Sequence, residues 1–343
     1  MKRNKELVLK NSHKNPRYSH KKFATVVFTC SALLVFACII GMAIGAVQKP
    51  LIDVVTGVLA GEDLYWKYRM PRVVVGMLAG IGMAISGCLL QTGLRNPLAA
   101  PDTLGITAGG GLLAVLALLG FSTLPAAFLT PIAFLGSLFG AILVFAAAGK
   151  ASIDPARLAL TGVAVSVGLA AVTQLLLVRA APEAGAAMTW LKGSLYARTM
   201  SDAMTVAPVI IASFIVVMVL ARHFNALALD DSTMKSIGAH VRVLRLGAMG
   251  IAVLCGAASV AAAGVLGFVG LIVPHAAKLL VGQSLARQVP VAALAGAAIV
   301  VGADAVGRWA FAPTEIPVGA LIAIAGAPYF IYLVLNVTRV QGK

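Results

Sequence analysis

The chain has 343 residues, is 60% hydrophobic and carries only 11% charged residues, whereas a soluble protein carries about 25%. This composition excludes an ordinary soluble enzyme. The net charge of +15 does not indicate nucleic-acid binding, because eight of the 27 Lys and Arg residues fall within the first 22 positions. Most of the others lie in short connections between apolar runs, a distribution typical of charges that set membrane topology.

Residues 1–22 form a basic tail, and the apolar run at 23–47 is too long for the core of a signal peptide. A helix that spans a bilayer needs roughly 20 mostly apolar residues. The predicted spans are 23–47, 70–94, 104–120, 125–148, 157–179, 203–222, 245–264, 267–283, 289–308 and 317–338. The sequence therefore predicts an all-α, polytopic membrane protein with about ten transmembrane helices in one domain, 23–340.

The distribution of charge predicts the orientation of these spans. With the basic tail inside, Lys and Arg concentrate on the inner connections, and most acids fall on the outer ones. The positive-inside rule then places both termini in the cytoplasm. Under this topology Arg69 and Arg72 open the second span on the outer side, against the charge bias. They lie three positions apart, on one face of the first helical turn.

A third outer arginine, Arg308, lies four positions after Asp304 near the end of the ninth span. Residues at this spacing share a helix face and can form a local ion pair. Alternatively, Arg308 joins Arg69 and Arg72 in an outer basic surface.

Two inner connections have unusual sequences. In "LRNPLAAPDTLG" (94–105), Pro97 and Pro101 exclude a continuous helix, so this segment forms either a plain turn or a rigid plug at the inner mouth of a pathway. The segment 223–244 is too polar to span a membrane and serves either as a solvated connector or as a docking platform. Within it, Asp231 or Ser232 is expected to cap a short helix and Gly238 to end it.

Several other features predict local structure. The outer segment 180–202 predicts a short interfacial helix, with Trp190 and Tyr196 at the level of the lipid headgroups. Pairs of glycines four positions apart, at 105/109 and 136/140, predict closely packed helices. In the eighth span, His275 follows Pro274 and is either a proton relay or the neighbour of a helix kink.

Sequence motifs for catalysis are absent. The chain has no G-x-x-x-x-G-K-[ST] phosphate-binding loop, no H-E-x-x-H and no G-x-S-x-G. All four cysteines lie within apolar runs without a C-x-x-C pair, which predicts small buried side chains and no metal site. The sequence thus predicts a non-catalytic membrane protein.

Several longer strings together resemble one family. "RMPRVVVGMLAGIGMAISGCLLQTGLRNPLAAPDTLG", "WLKGSL", "GFVGLIVPHAAKLLVG", "GADAVGRW" and "EIPVGALIAIAGAPYFIYLV" are similar to the permease family of ABC importers for iron–siderophores, haem and cobalamin, over about residues 23–340. The resemblance implies a multi-pass subunit of a bacterial cell membrane. Its partners would be a second permease, two ATP-binding subunits that hold ATP and Mg²⁺, and an extracytoplasmic substrate-binding protein. No cofactor is expected in this chain.

The resemblance also implies roles for particular residues. Arginines at the positions of Arg69, Arg72 and Arg308 meet glutamates of the binding protein, and the planar guanidinium suits this task because it grips a carboxylate with two hydrogen bonds. Residues at the positions of Asn96 and Leu98 form part of the cytoplasmic gate. The 223–244 segment couples to the ATPase, and its recognisable end contains Ser236, Ile237, Gly238, Ala239, His240 and Arg242. The string "SIDPA" (152–156) matches no clear motif of the family.

The resemblance implies ATP-driven import of a ferric siderophore by alternating access. An alternative is an ion-coupled secondary transporter of a small apolar solute, a class that normally keeps carboxylates near the middle of the membrane. Asp304 comes closest to such a carboxylate here. A membrane receptor or scaffold is a third possibility, and it predicts neither transport nor an ATPase partner.

Overall fold

The computed structural model describes residues 20–45, 48–121, 125–149, 154–180, 184–236, 238, 240–310, 312 and 314–341. Regular structure in this part of the chain is helical. The α-helices are α1 (His20–Ala43), α2 (Leu51–Leu59), α3 (Met70–Gly93), α4 (Ile106–Gly120), α5 (Leu129–Ala148), α6 (Pro155–Arg179), α7 (Gly185–Leu191), α8 (Met200–Asn225), α9 (Asp231–Ser236), α10 (Val241–Ala263), α11 (Val269–Val281), α12 (Leu285–Ala310) and α13 (Val318–Gln341). Most of the predicted basic tail lies outside the described residues.

Ten of these helices correspond to the ten predicted spans. Seven are long and apolar enough to cross a membrane, namely α1, α3, α5, α6, α8, α10 and α12, and the shorter apolar helices are α4, α11 and the first part of α13. The prediction of an all-α membrane bundle is therefore confirmed. The sequence did not predict α2 or the π-helical turn at Leu64–Arg69, because both are short and lie between spans.

Helices α3 and α10 form the centre of the bundle. Most of the apolar stretch of each is buried, 78% in α3 and 72% in α10, and the two helices pack against each other. Their contact is lined by small side chains, and the Ser86 hydroxyl of α3 donates a hydrogen bond of 2.7 Å to the carbonyl of Ala252 in α10. Small residues of this kind allow two membrane helices to approach closely.

Helices α4 and α5 approach each other closely at their glycines. A Cβ atom added at Gly109 would lie 2.3 Å from the carbonyl oxygen of Gly136, and one at Gly140 would lie 2.2 Å from that of Gly105. A larger residue at either position would therefore collide with backbone. The glycine spacing predicted close packing at these positions but not which two helices meet.

The outer helices present apolar side chains away from the bundle. Phe28 of α1, Leu160 of α6 and Met204 of α8 are all more than half exposed. A face of this kind suits lipid or another membrane subunit. Trp190 of α7 behaves differently from the prediction, because it is only 5% exposed and belongs to the packed core, whereas Tyr196 is exposed as expected.

Helix α3 separates the two groups of candidate functional residues. Its 24 residues correspond to a length of about 35 Å. Arg72 lies in its first turn, and the connection that contains Pro97 and Pro101 follows its last turn. We call the end of the bundle near Arg72 the arginine end and the opposite end the coupling end.

Candidate functional site

Two of the predicted arginines bind the last carbonyl groups of helix α1. Arg69 donates hydrogen bonds to the carbonyls of Met42 and Ala43, the latter at 3.0 Å. Arg308 donates to Gly41, at 2.9 Å, and to Ile44. A helix ends with carbonyls that have no partner within the helix and with a partial negative charge. The two guanidinium groups donate to these carbonyls and place positive charge next to the end of α1. Both arginine side chains are buried.

The third predicted arginine, Arg72, joins two carboxylates. Its guanidinium donates to both oxygens of Asp304, at 2.8 to 3.0 Å, and to both oxygens of Glu315, at 2.8 and 3.2 Å. Asp304 is 4% exposed, but the Glu315 side chain is 31% exposed. Arg72 therefore has one buried partner and one partner at the surface.

Asp304 connects Arg72 to Arg308. The Arg308 Nε atom lies 3.1 Å from the Asp304 carboxylate, in the ion pair that their spacing of four residues permits. The local ion pair of the first alternative is therefore present, and Arg308 also lies near the other two arginines. We call Arg69, Arg72, Arg308, Asp304 and Glu315 the arginine cluster. Its role in binding a partner stays a prediction.

At the coupling end, the proline connection (residues 94–105) leaves the helical path as predicted. A single 3₁₀ turn, Pro101–Leu104, interrupts an otherwise irregular backbone. The Asn96 side-chain oxygen accepts a hydrogen bond of 2.9 Å from the backbone N–H of Leu98. The Leu98 side chain is exposed, whereas Ala99, Pro101 and Leu104 are buried. The connection is thus anchored on one side and presents Leu98 on the other, and its role as a gate stays a prediction.

The coupling segment (residues 223–244) contains the short helix α9, which begins differently from the prediction. Asp230, rather than Asp231 or Ser232, caps α9, because its carboxylate accepts a hydrogen bond of 3.0 Å from the Thr233 N–H. A cap must lie just outside the first turn to reach that N–H. Hydrogen bonds from the Ser232 and Thr233 side chains hold the pKa of Asp230 well below its usual range.

The end of α9 agrees with the prediction. Gly238 has φ of +76°, a conformation that glycine adopts without steric cost. The predicted coupling residues Ser236, Gly238, His240 and Arg242 are exposed at this end of the molecule. Ile237 and Ala239 lie outside the described residues. The surface is therefore accessible to a partner, although its contact with an ATPase stays a prediction.

A charged group that the sequence did not predict lies behind this surface. Asp231, at the start of α9, pairs with Arg95 of the proline connection and with Arg245 of α10, at 2.9 Å. Arg245 is only 1% exposed. Hydrogen bonds from Arg245 and then from Arg95 hold the pKa of the Asp231 carboxyl below its usual range. In the sequence, Arg245 could have indicated this group, since a charge inside an apolar helix needs a partner.

The connection before α6 contains the string that matched no clear motif. Its described part begins at Asp154, whose carboxylate caps α6 by accepting hydrogen bonds from the N–H groups of Ala156, at 2.9 Å, and Arg157, at 3.4 Å. This geometry accounts for the aspartate as a helix cap.

A bundle of apolar helices with glycine-rich packing at its centre and clusters of charged residues at its two ends is the architecture of an integral membrane protein. Comparison with known proteins shows which family of membrane proteins the chain is similar to. The model of the FecCD transport family matches residues 33–336.

Individual relatives match over nearly the whole chain. The Fe(3+)-citrate import system permease protein YfmE of Bacillus subtilis is 36% identical, over 94% of this chain and 98% of that protein. The Fe(3+) dicitrate transport system permease protein FecD of Escherichia coli is also 36% identical, over 92% and 99%. A solved inward-facing structure of a metal-chelate type ABC transporter superposes with a TM-score of 0.79 at 27% identity, covering 91% of this chain and 99% of that one. The chain belongs to the FecCD transport family and is a permease subunit of an ABC importer.

Proposed function

We propose that this permease subunit carries a ferric chelate across a bacterial cell membrane, driven by ATP that separate subunits hydrolyse. The observation that carries the proposal is the match to two ferric citrate permeases over almost the full length of both chains. A relative named for iron(3+)-hydroxamate import matches at 34% identity, over 82% of this chain. Siderophore complexes and ferric citrate share a metal held inside an organic chelator, and this shared chemistry defines the proposed cargo.

The proposed orientation places the arginine end outside the cell and the coupling end in the cytoplasm. The excess of Lys and Arg on the connections at the coupling end favours this arrangement. Both termini then lie in the cytoplasm. The 35 Å between the ends of α3, about the thickness of a bilayer, keeps the two groups of charged residues on opposite sides.

The proposed complex contains a second permease, identical or homologous, two ATP-binding subunits and a substrate-binding protein. Its ATP and Mg²⁺ would be bound by the ATPase subunits, in keeping with the missing phosphate-binding loop in this sequence. This subunit would act without a cofactor of its own and without catalysing a reaction.

Docking of the binding protein is proposed at the arginine cluster. Arg72 supports this role best, because its contact with Glu315 lies at the surface. A carboxylate of the partner could replace Glu315 without a change in buried charge, and the two hydrogen bonds of the guanidinium would be kept. Arg69 and Arg308 would hold the end of α1, and with it the shape of the docking surface.

Transport is proposed to follow alternating access. Closure of the ATPase subunits would press on the exposed residues Ser236, Gly238, His240 and Arg242 of the coupling segment. The proline connection, with Asn96 and Leu98, would open and close the cytoplasmic exit. Substrate would pass between this permease and its partner.

Uptake by the complete complex in liposomes tests the cargo. Radiolabelled ferric citrate, a ferric hydroxamate and cobalamin would each be supplied with the binding protein encoded nearest to this permease. We expect ATP-dependent uptake of one ferric chelate, with no effect of a proton ionophore. Uptake of cobalamin alone would contradict the proposed cargo. Uptake that the ionophore abolishes at constant ATP would favour the ion-coupled alternative.

A further inference from the structure

The second residue after helix α3 has an unusual backbone. Arg95 has φ of +48°, and its N–H bonds to Thr92 at 3.3 Å while that of Asn96 reaches Gln91 at 3.2 Å. This pair of bonds is the Schellman ending, in which the left-handed residue is usually glycine. A side chain there is strained. The arginine must therefore be held by contacts that offset the strain.

Those contacts all lie in the coupling segment. The Arg95 Nε atom donates a hydrogen bond of 3.0 Å to the carbonyl of Leu227. Its Nη2 atom donates to the Asp231 carboxylate and lies 3.8 Å from the sulfur of Met234. The Arg95 guanidinium therefore attaches the end of α3 to both sides of the turn that precedes α9.

Asp231, the partner of Arg95, is itself held in place by a second arginine. Its carboxylate also accepts a hydrogen bond of 2.9 Å from Arg245, which is buried at the start of α10. One carboxylate thus joins the end of α3, the start of α9 and α10. Two guanidinium groups on one carboxylate keep it ionised at neutral pH, since both favour the charged form.

We infer that Asp231 and Arg95 are positioning residues that transmit movement of α9 to the proline connection. Arg95 is three residues from Leu98, and the Asn96 side chain closes the turn between them. Displacement of α9 would therefore move the Arg95 guanidinium and, through this short turn, Leu98. The inference rests on the proposed function, because it assigns the path between the ATPase contact and the cytoplasmic gate.

The test measures how accessible a residue of the proline connection is to a reagent, so it does not depend on which chelate is carried. A Leu98→Cys substitution provides a thiol at the exposed position, in the complete complex reconstituted in liposomes of Escherichia coli lipid. The rate of its modification by a membrane-impermeant maleimide is measured with and without ATP and a Mg²⁺ salt. ATP hydrolysis is measured in the same samples. We expect nucleotide to change the modification rate at least threefold.

In the background with Leu98→Cys, Arg95→Gln is expected to leave ATP hydrolysis within twofold of its starting rate but to reduce the nucleotide-dependent change in labelling to a small, measurable remainder. Arg95 is the preferred position, because Asp231 would still pair with Arg245 and the fold would be retained. Asp230→Asn is the matched control. It removes a neighbouring carboxylate, but asparagine also caps helices, so the change in labelling should persist.

A nucleotide response in Arg95→Gln equal to that of the background would overturn the inference. A second comparison uses Asp231→Asn alone and the double variant that combines Asp231→Asn with Arg95→Gln. If both residues act through one link, the double variant loses no more response than the worse single variant, whereas independent losses that add would contradict the link. Failure of the proposed function is distinguishable, because the background itself would then show no response to nucleotide.

Discussion

At the scale of single residues, the three arginines of the cluster differ in how their guanidinium groups are used. Arg69 and Arg308 bind the terminal carbonyls of α1, so each has a structural role whatever else it does. Arg72 instead joins the buried Asp304 to the more exposed Glu315. Of the three, Arg72 is the one that could exchange a partner within the chain for one on another protein.

Substitutions at Arg72 and Glu315 should change docking in opposite directions. Arg72→Gln is expected to weaken binding of the substrate-binding protein at least about tenfold, because a hydrogen bond to a charged group contributes about 1.5–3 kcal/mol. Glu315→Gln removes the competing charge and should tighten binding. The Kd of the binding protein for the complex in lipid nanodiscs measures both effects.

Lys67→Gln is the control for this pair. Lys67 is an exposed cation at the same end and pairs with Asp63 outside the cluster, so its substitution should leave the Kd unchanged at moderate salt. If neither Arg72→Gln nor Glu315→Gln changes the Kd, Arg72 has a structural role only.

Arg308→Ala should destabilise the subunit itself. It removes the hydrogen bonds to α1 and one partner of the buried Asp304, and breaking a buried ion pair costs about 3–5 kcal/mol. We expect a melting temperature several degrees lower in detergent, followed by tryptophan fluorescence. Arg157→Ala, in an exposed pair with Asp154, should melt like the unmodified protein. If both variants melt alike, Arg308 does not hold the end of α1.

At the scale of the helices, the apolar runs were sufficient to predict the ten spans, because the length of a membrane helix is fixed by the bilayer. Glycine spacing also predicted close helix packing, which the contact between α4 and α5 shows. Short elements were less predictable. Helix α2 lies between spans, and the cap of α9 is one residue earlier than expected because only Asp230 reaches the Thr233 N–H.

Contacts between residues that are distant in the sequence could not be predicted. Asp231 lies 136 positions after Arg95, and Glu315 lies 243 positions after Arg72. A single sequence shows the charge of each residue but not which others the fold brings near it. Trp190 illustrates the same limit, since the pattern predicted a headgroup contact and the packing of α7 buries the ring.

Gly109→Ala tests the contact between α4 and α5. The added Cβ would lie 2.3 Å from a backbone oxygen that cannot move alone, so the helices must separate, and we expect a loss of about 1–3 kcal/mol. Gly168→Ala in α6 is the matched control, because a Cβ there meets no atom within 4 Å. It should be neutral or slightly stabilising. Thermal unfolding in detergent distinguishes the two, and equal melting would contradict the close approach.

At the scale of the whole molecule, the subunit is organised as a buried pair of helices, α3 and α10, with a different charged group at each end. The arginine cluster faces one side, and Arg95, Asp231 and Arg245 lie at the other. Helix α3 reaches both groups, since Arg72 lies in its first turn and Arg95 lies two residues after its last. This arrangement suits a protein that must respond to a binding protein on one face and to an ATPase on the opposite face.

This permease is expected to import its cargo only when a separate subunit hydrolyses ATP. The most direct measurement uses the radiolabelled ferric chelate that the complete complex takes up in liposomes, and compares its uptake with an unmodified ATPase and with one whose phosphate-binding lysine is replaced. We expect uptake with the first ATPase and none above background with the second, although both complexes assemble. Equal uptake by the two complexes would contradict ATP-driven import.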